Sequence, residues 1–178
     1  MNTNLSDKIK QNIRDVEDFP KRGILFKDIM PIFAKPELCN EILDGFMDAI
    51  GLVKIDAVAC IESRGFFFGM LLAQKLQVPF VPIRKKGKLP YQTLSMDYEL
   101  EYGTETMEIH VDAIKPGQNV LIHDDVLATG GTALAASQLI MKAGGNVAGY
   151  AFLLGLAFLG GAEKLHLLSP KIVTLAEY

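Results

Sequence analysis

The sequence predicts a single α/β domain in which a mainly parallel central sheet is flanked by helices on both faces. Two observations lead to this prediction. Short apolar runs of strand length alternate with helical segments along the chain, a pattern typical of parallel sheets. The 178 residues, of which 49% are hydrophobic, are enough to form one core and lie within the usual size of one domain.

Periodicity and prolines place the elements along the chain. Apolar residues at three- and four-residue spacing from Leu5 to Val16 predict an opening amphipathic helix that ends before Pro20. The strand at 78–83 contains Pro79 and Pro82, which favours an irregular or edge-like stretch. Further helices are predicted at residues 36–50, 66–76 and 132–143, and further strands at residues 57–61, 119–123, 147–154 and 172–175.

The segment from Arg84 to about Glu105 is predicted to be irregular, neither helix nor strand. It is rich in Lys, Gly, Pro, Tyr and Glu. An irregular stretch of this length is uncommon in a compact domain unless it forms a functional loop. We therefore predict a flexible loop at residues 84–105.

Composition excludes several classes of protein. The net charge of −3, from 18 basic and 21 acidic residues, gives no positive field for nucleic acid. Cys39 and Cys60 show neither metal-ligand spacing nor a disulfide framework, which suits a reducing compartment. The first 18 residues lack the apolar core of a signal peptide, and the apolar run 147–159 is shorter than the roughly 20 residues that cross a bilayer. We expect a cytoplasmic protein with no nucleic-acid or membrane partner.

The stretch from Val120 to Thr132 carries the strongest functional signal. An apolar strand leads into two adjacent acids, Asp124 and Asp125, and a loop of small residues then opens a helix. Small residues let the backbone come close to a ligand, so that N–H groups at the helix N-terminus can surround a phosphate. The candidate phosphate-binding residues are Ala128, Thr129, Gly130, Gly131 and Thr132.

The two acids narrow the choice of ligand. They would repel a phosphate unless they face another part of the ligand, such as the hydroxyls of a sugar. The sequence contains no Walker A pattern and no dinucleotide-binding glycine pattern. Glycines alone could mark only a tight turn, but together with the acids they predict a site for a ribose phosphate. His123, just before the acids, is expected to be structural, with tuning of the acids as the alternative.

This stretch resembles the motif by which type I phosphoribosyltransferases bind 5-phosphoribosyl-1-pyrophosphate (PRPP), in which an apolar strand and two acids precede a loop ending Thr-Gly-Gly-Thr. The resemblance implies the fold of that family. It also implies that Asp124 and Asp125 hold the ribose hydroxyls and that residues 128–132 hold the 5-phosphate. Four further motifs extend the likeness over residues 18–177 and direct it to the adenine phosphoribosyltransferases.

Two cationic segments resemble the sites of these enzymes for the leaving pyrophosphate. The turn at residues 62–66 matches their Glu-Ser-Arg-Gly-Phe, and residues 84–90 match their Arg-Lys-x-Gly-Lys-Leu-Pro. By themselves, such arginines and lysines are usually structural or solvated. In these enzymes the turn often contains a cis non-proline bond, and whether this chain has one is left open. The resemblance implies that the pyrophosphate is bound by Ser63, Arg64, Arg84, Lys85 and Lys88, with Arg64 also catalytic.

The lid and the base pocket follow from the other two motifs. Residues 100–103 resemble Leu-Glu-Tyr-Gly, which implies that Glu101 is the general acid/base for the adenine ring and that Tyr102 helps to close the lid; from the residues alone, Glu101 would be a solvated acid. Residues 18–29 resemble the signature of a small base-binding hood at about 1–34. The resemblance implies that Phe26 stacks on adenine while the backbone of Leu25 and Lys27 reads its edge. The alternative for Phe26 is an ordinary core aromatic.

The resemblance as a whole implies a purine salvage enzyme that converts adenine and PRPP to AMP and pyrophosphate. It implies Mg²⁺ as cofactor, held mainly by PRPP and water with no direct protein ligand, and a homodimer. Two alternatives stay open: a transferase for a 6-oxopurine, which would share the PRPP site, and a PRPP-sensing regulator without catalysis. Many relatives carry an acid and a basic residue at the places of Gly155 and Ala162, so local packing there is expected to differ.

Overall fold

The protein, described by a computed structural model at residues 3–100 and 103–178, has a central seven-stranded sheet with helices on both faces. The helices are α1 Thr3–Gln11, α2 Met30–Phe33, α3 Pro36–Ile50, α4 Gly65–Leu76, α5 Gly131–Lys142 and α6 Gly161–His166, with a 3-10 turn at Ala157–Leu159. The strands are β1 Arg14–Val16, β2 Phe26–Asp28, β3 Ala57–Ile61, β4 Phe80–Lys85, β5 Thr93–Leu100, β6 Gly103–His110, β7 Asn119–Leu127, β8 Asn146–Gly155 and β9 Ile172–Glu177.

The predicted fold class is confirmed. The strand order is β5-β6-β4-β3-β7-β8-β9, and β4, β3, β7, β8 and β9 run parallel to one another. All five residues of β3 are buried, as expected for a central strand covered on both faces. Among the described residues, no helix is long and apolar enough to span a bilayer.

The helices form where their apolar spacing allows one face to be buried. In α3, Leu38, Ile42, Phe46 and Ile50 recur every four residues and all are buried against the sheet. Pro36 stands at the start of this helix, where its missing N–H costs no hydrogen bond. The prediction for α3 is therefore confirmed at both ends.

The opening helix is shorter than predicted. It ends at Gln11, and Arg14–Val16 forms β1, which pairs antiparallel with β2 in a separate two-stranded sheet. The side chain of Arg14 donates from two nitrogens to Asp28 Oδ2, at 3.0 and 2.7 Å. These cross-strand contacts favour the strand over further helical turns, although the apolar spacing continues to Val16.

The prediction of an irregular segment at 84–105 was wrong for most of its length. Strand β4 continues to Lys85, and β5 and β6 form an antiparallel hairpin. The cause is a period of two: Met107 and Ile109 on β6 are buried, and alternate residues of β5 pack against the same core cluster. In the part of this segment that the structure describes, only residues 86–92 lie outside strands.

Strand β4 is edge-like over its first part, as its prolines indicated. Residues Phe80 to Ile83 pair with β3, whereas β6 pairs only with Arg84 and Lys85. Pro82 therefore lies where the strand has a partner on one side, and its missing N–H removes no hydrogen bond to β6.

Candidate active site

The site lies where the adjacent parallel strands β3 and β7 end. Cys60 pairs with His123, so the turn after β3 and the acids on β7 lie side by side. Because ligands of parallel sheets bind beyond the carboxyl ends of the strands, this edge is the expected place for chemistry. The turn carries Arg64, and β7 carries Asp124 and Asp125.

The phosphate loop follows β7 directly. This strand is longer than predicted and includes both acids, since it ends at Leu127. Gly130 has a φ of 77°, which side chains disfavour, and α5 begins at the next residue. The loop surrounds a cavity together with Asp124 and Phe152. The structure thus brings together all five predicted residues, Ala128, Thr129, Gly130, Gly131 and Thr132.

The two acids differ in environment. Asp124 is half-buried, and burial, with the neighbouring Asp125 carboxylate, raises the pKa of Asp124 well above its usual value. Its Oδ1 accepts the backbone N–H of Asp125 at 2.8 Å. Asp125 is only 4% exposed, and its Oδ2 forms an ion pair of 2.6 Å with Arg64 Nε. Gly65 lies so close that a Cβ there would be 3.0 Å from Asp124 Oδ1.

Arg64 contacts two parts of the site. Besides its ion pair with Asp125, its guanidinium carbon lies 4.8 Å from the centre of the Phe26 ring. A cation over an aromatic face is attracted by the ring. The peptide bond between Glu62 and Ser63 is cis, which answers the question left open by the sequence. The turn therefore places Arg64 between the acid pair and the predicted base-stacking ring.

The second cationic segment is joined to this turn by Glu62, a residue that the sequence reasoning did not select. Glu62 Oε2 accepts hydrogen bonds from Arg84 Nε at 3.2 Å and from the backbone N–H of Lys85 at 2.9 Å. Arg84 also donates to the carbonyl of Lys88 at 3.0 Å. The signal in the sequence was the position of Glu62, the first residue after a buried strand.

A carboxylate on the hairpin holds the other end of Lys85. Glu105 accepts a hydrogen bond from Lys85 Nζ and another from the hydroxyl of Tyr98, each at 2.9 Å. The hydrogen bond from Lys85 lowers the pKa of Glu105. Burial and the contact with Glu105 raise the pKa of Tyr98, so this hydroxyl stays a donor. Tyr98 and Glu105 were not selected from the sequence, because their facing positions depend on the hairpin.

The predicted base-binding residues lie on and beside β2. Leu25 is half exposed, and the Phe26 ring meets Phe19 edge-on at 5.0 Å. Lys27 Nζ pairs with Asp15 at 2.7 Å and lies 4.1 Å from the centre of the Tyr178 ring. The side chain of Lys27 is therefore engaged in holding β2. The prediction for Lys27 concerns its backbone, which is not occupied by these side-chain contacts.

Three further predictions concern residues outside this geometry. Glu101 and Tyr102 lie outside the described residues. Gly155 packs on β9, where a Cβ would lie 2.8 Å from Thr174 Cγ2, and Ala162 lines a cavity of about 180 Å³ next to it. A side chain at Gly155 would therefore press on Thr174, whereas Ala162 borders open space that a larger side chain could fill.

Comparison with known proteins agrees with the geometry. Residues 37–168 match the profile of the phosphoribosyl transferase domain, which gives the class of protein that the fold and the site define. A curated adenine phosphoribosyltransferase of Cytophaga hutchinsonii is 51% identical over 98% of this chain and 96% of its own. One of Ureaplasma parvum is 50% identical over 97% and 98%.

Solved structures give the same result. The crystal structure of adenine phosphoribosyltransferase from Rhodothermus marinus superposes with a TM-score of 0.93 at 49% identity, over 99% of this chain and 100% of that one. The enzyme from Saccharomyces cerevisiae, solved with adenine and an imino-altritol bisphosphate, gives 0.89 at 42% identity, over 97% and 98%. The chain belongs to the adenine phosphoribosyltransferase family.

Proposed function

We propose that the chain transfers the phosphoribosyl group of PRPP to N9 of adenine, giving AMP and pyrophosphate in purine salvage. The bond from C1 to the pyrophosphate oxygen breaks, and the leaving pyrophosphate takes the electron pair. N9 of adenine then bonds to C1. The observation that carries the proposal is Arg64, which lies between the Asp125 carboxylate and the Phe26 ring beside the phosphate loop.

The ribose 5-phosphate part of PRPP is assigned to β7 and the loop after it. Asp124 and Asp125 accept hydrogen bonds from the ribose hydroxyls through their carboxyl oxygens, which keep acceptor capacity whether or not the group is protonated. Residues 128–132 bind the 5-phosphate through backbone N–H groups at the start of α5, where the helix dipole also favours an anion.

The pyrophosphate is assigned to the two cationic segments that Glu62 joins. Ser63 and Arg64 bind it from the turn, and Arg84, Lys85 and Lys88 from the second segment. Preorganised positive charge stabilises the negative charge that develops on the leaving group, and also allows positive charge to build up on the ribose ring.

Magnesium fits this site as a partner of the substrate. Mg²⁺ prefers oxygen ligands and keeps several waters, and the carboxyl groups of Asp124 and Asp125 can accept hydrogen bonds from such waters at the ribose end. We assign Mg²⁺ mainly to the oxygens of PRPP and to water, with no direct protein ligand. When bound, it would neutralise charge on the pyrophosphate.

The base is assigned to the hood of residues 1–34. Phe26 stacks on adenine, and the backbone of Leu25 and Lys27 distinguishes the amino group of adenine from an oxo group. Glu101 handles the proton of the purine ring, and Tyr102 closes the lid of residues 84–105 over the substrates.

The chain is further proposed to act as a homodimer in the cytoplasm. Phe67, Met70 and Leu71 on α4 are apolar and exposed, with Met70 at 50%. This helix begins directly after Arg64, so a second copy covering its apolar face would also hold the turn that binds pyrophosphate. Sedimentation of the wild type and of Met70→Glu tests this, since a dimer through α4 should dissociate in the variant.

The reaction is tested by measuring pyrophosphate release with PRPP and Mg²⁺ and, in parallel, adenine, hypoxanthine, guanine or xanthine. Turnover with adenine alone supports the proposal. Turnover only with an oxopurine would keep the PRPP site but refute the assignment of the base pocket. Binding of PRPP without any turnover would instead favour a PRPP-sensing regulator.

A further inference from the structure

The back of the phosphate loop touches the start of α6. A Cβ built on Gly161, the first residue of α6, would lie 2.1 Å from the carbonyl oxygen of Ala128 and 2.8 Å from the backbone nitrogen of Gly130. In return, a Cβ on Gly130 would lie 2.6 Å from the carbonyl oxygen of Gly161. These are contacts between main chains, so no side chain can turn aside to relieve them.

Glycine is required at position 161 by this close contact, and not by the backbone conformation. Gly130 and Gly160 have φ angles of 77° and 65°, in the left-handed region that favours glycine, whereas Gly161 does not lie in that region. An alanine would suit its backbone and would favour the helix that begins there. The close approach to residue 128 is what excludes any side chain.

This contact bears directly on the proposed 5-phosphate site. Residues 128–132 bind their ligand through main-chain N–H groups, and such bonds weaken when donor and acceptor move beyond about 3.2 Å. We infer that Gly161 is a positioning residue for PRPP: it fixes the main chain of the phosphate loop from behind. The inference rests on the proposed role of that loop in binding the 5-phosphate.

The variant Gly161→Ala tests this role. The added methyl group must displace either the loop or α6, and a misplacement of about 1 Å can cost as much as 10²-fold. We expect KM for PRPP to rise roughly tenfold or more, because each N–H must meet the phosphate at hydrogen-bond distance. KM for adenine and kcat at saturating PRPP should change little. Lost stability alone would lower the active fraction, and therefore kcat, without raising KM for one substrate.

Gly149→Ala is the matched control. A Cβ on Gly149 would lie 2.9 Å from the carbonyl oxygen of Lys171, a backbone clash of the same kind but milder than the one at Gly161, and Gly149 pairs with Leu121 and lies away from the loop. We expect Gly149→Ala to lower the midpoint of thermal unfolding and to leave KM for PRPP unchanged. A rise in KM equal to that of Gly161→Ala would overturn the inference.

If Gly161→Ala does not fold, a second variant tests whether the start of α6 positions the phosphate loop. A β-branched residue does not tolerate the φ of 65° at Gly160, so Gly160→Val must rearrange the turn before α6, although no atom stands within 4 Å of that position. We expect a rise in KM that is confined to PRPP. If the folded variants turn over adenine and PRPP with an unchanged KM for PRPP, the inference about Gly161 is wrong and the proposed function stands. If the wild type shows no turnover, the proposed function itself is wrong.

Discussion

Replacing His123 by leucine should remove a pH dependence of stability that the fold imposes. His123 lies on β7 next to the acid pair, is 1% exposed, and meets the Phe46 ring edge-on at 5.5 Å. Burial lowers the pKa of His123 from 6.5 to about 4, with a small opposing contribution from the backbone of Ala151. The imidazole is therefore neutral in the folded protein at neutral pH.

The sign and size of the effect follow from linkage. The unfolded chain takes up this proton near pH 6.5, whereas the folded protein takes it up only near pH 4. The stability is therefore fully present above pH 6.5 and is lost as the pH falls to 4. At about 1.4 kcal/mol for each pKa unit, the loss is about 2 kcal/mol at pH 5 and about 3 kcal/mol below pH 4.

The assay is the free energy of unfolding in urea at pH 7.5, 6.5 and 5, for the wild type and for His123→Leu. Asp124 acts in the opposite direction, since its raised pKa makes the fold gain stability as the pH falls. Because Asp124 is present in both proteins, the difference between them isolates His123. The wild type should lose about 2 kcal/mol more than the variant between pH 7.5 and 5. Parallel pH profiles would refute the reasoning.

The remaining predictions concern the reaction. Glu101→Ala should lower kcat by about 10²- to 10⁴-fold, the usual range for a lost general acid/base; unchanged turnover would remove that role. Asn at both Asp124 and Asp125 should lower kcat/KM for PRPP by roughly 10²- to 10⁴-fold, since hydrogen bonds to charged groups are worth about 1.5–3 kcal/mol each, and titration of PRPP should show the same loss of binding. Glu62→Gln should raise KM for PRPP about fivefold, equivalent to about 1 kcal/mol for a partly exposed pair; an equal rise in KM for adenine would argue against a role confined to pyrophosphate.

The parts of the fold that sequence reasoning predicted well are those with one strong period. Helix α3 buries every fourth residue, and β3 is apolar throughout, so local pattern and tertiary burial agree. The hairpin of β5 and β6 was missed because acidic residues and threonines among its apolar positions conceal the period of two. Only its packing against the core shows which face is inward.

The candidate site divides in the same way between what the sequence shows and what only the fold shows. The phosphate loop and the acids are contiguous in sequence, so one motif was enough to propose them as a site. Glu62, Tyr98 and Glu105 act through partners that are 7 to 23 residues away, and such pairs become visible only in the fold. Gly161 is the extreme case, because its contact with residue 128 spans two separate loops and involves no functional group.

The position of Arg64 gives a physical reason why sugar and base binding should be linked. Its guanidinium neutralises Asp125, a carboxylate that is 4% exposed and would be costly to bury alone. In the proposed mechanism, ribose hydroxyls that reach Asp125 would replace part of that interaction and leave Arg64 free to face the pyrophosphate. Since the same guanidinium lies over Phe26, its movement would change the electrostatics of the ring on which adenine is proposed to stack. On this proposal, binding of PRPP would prepare the base pocket through a single side chain.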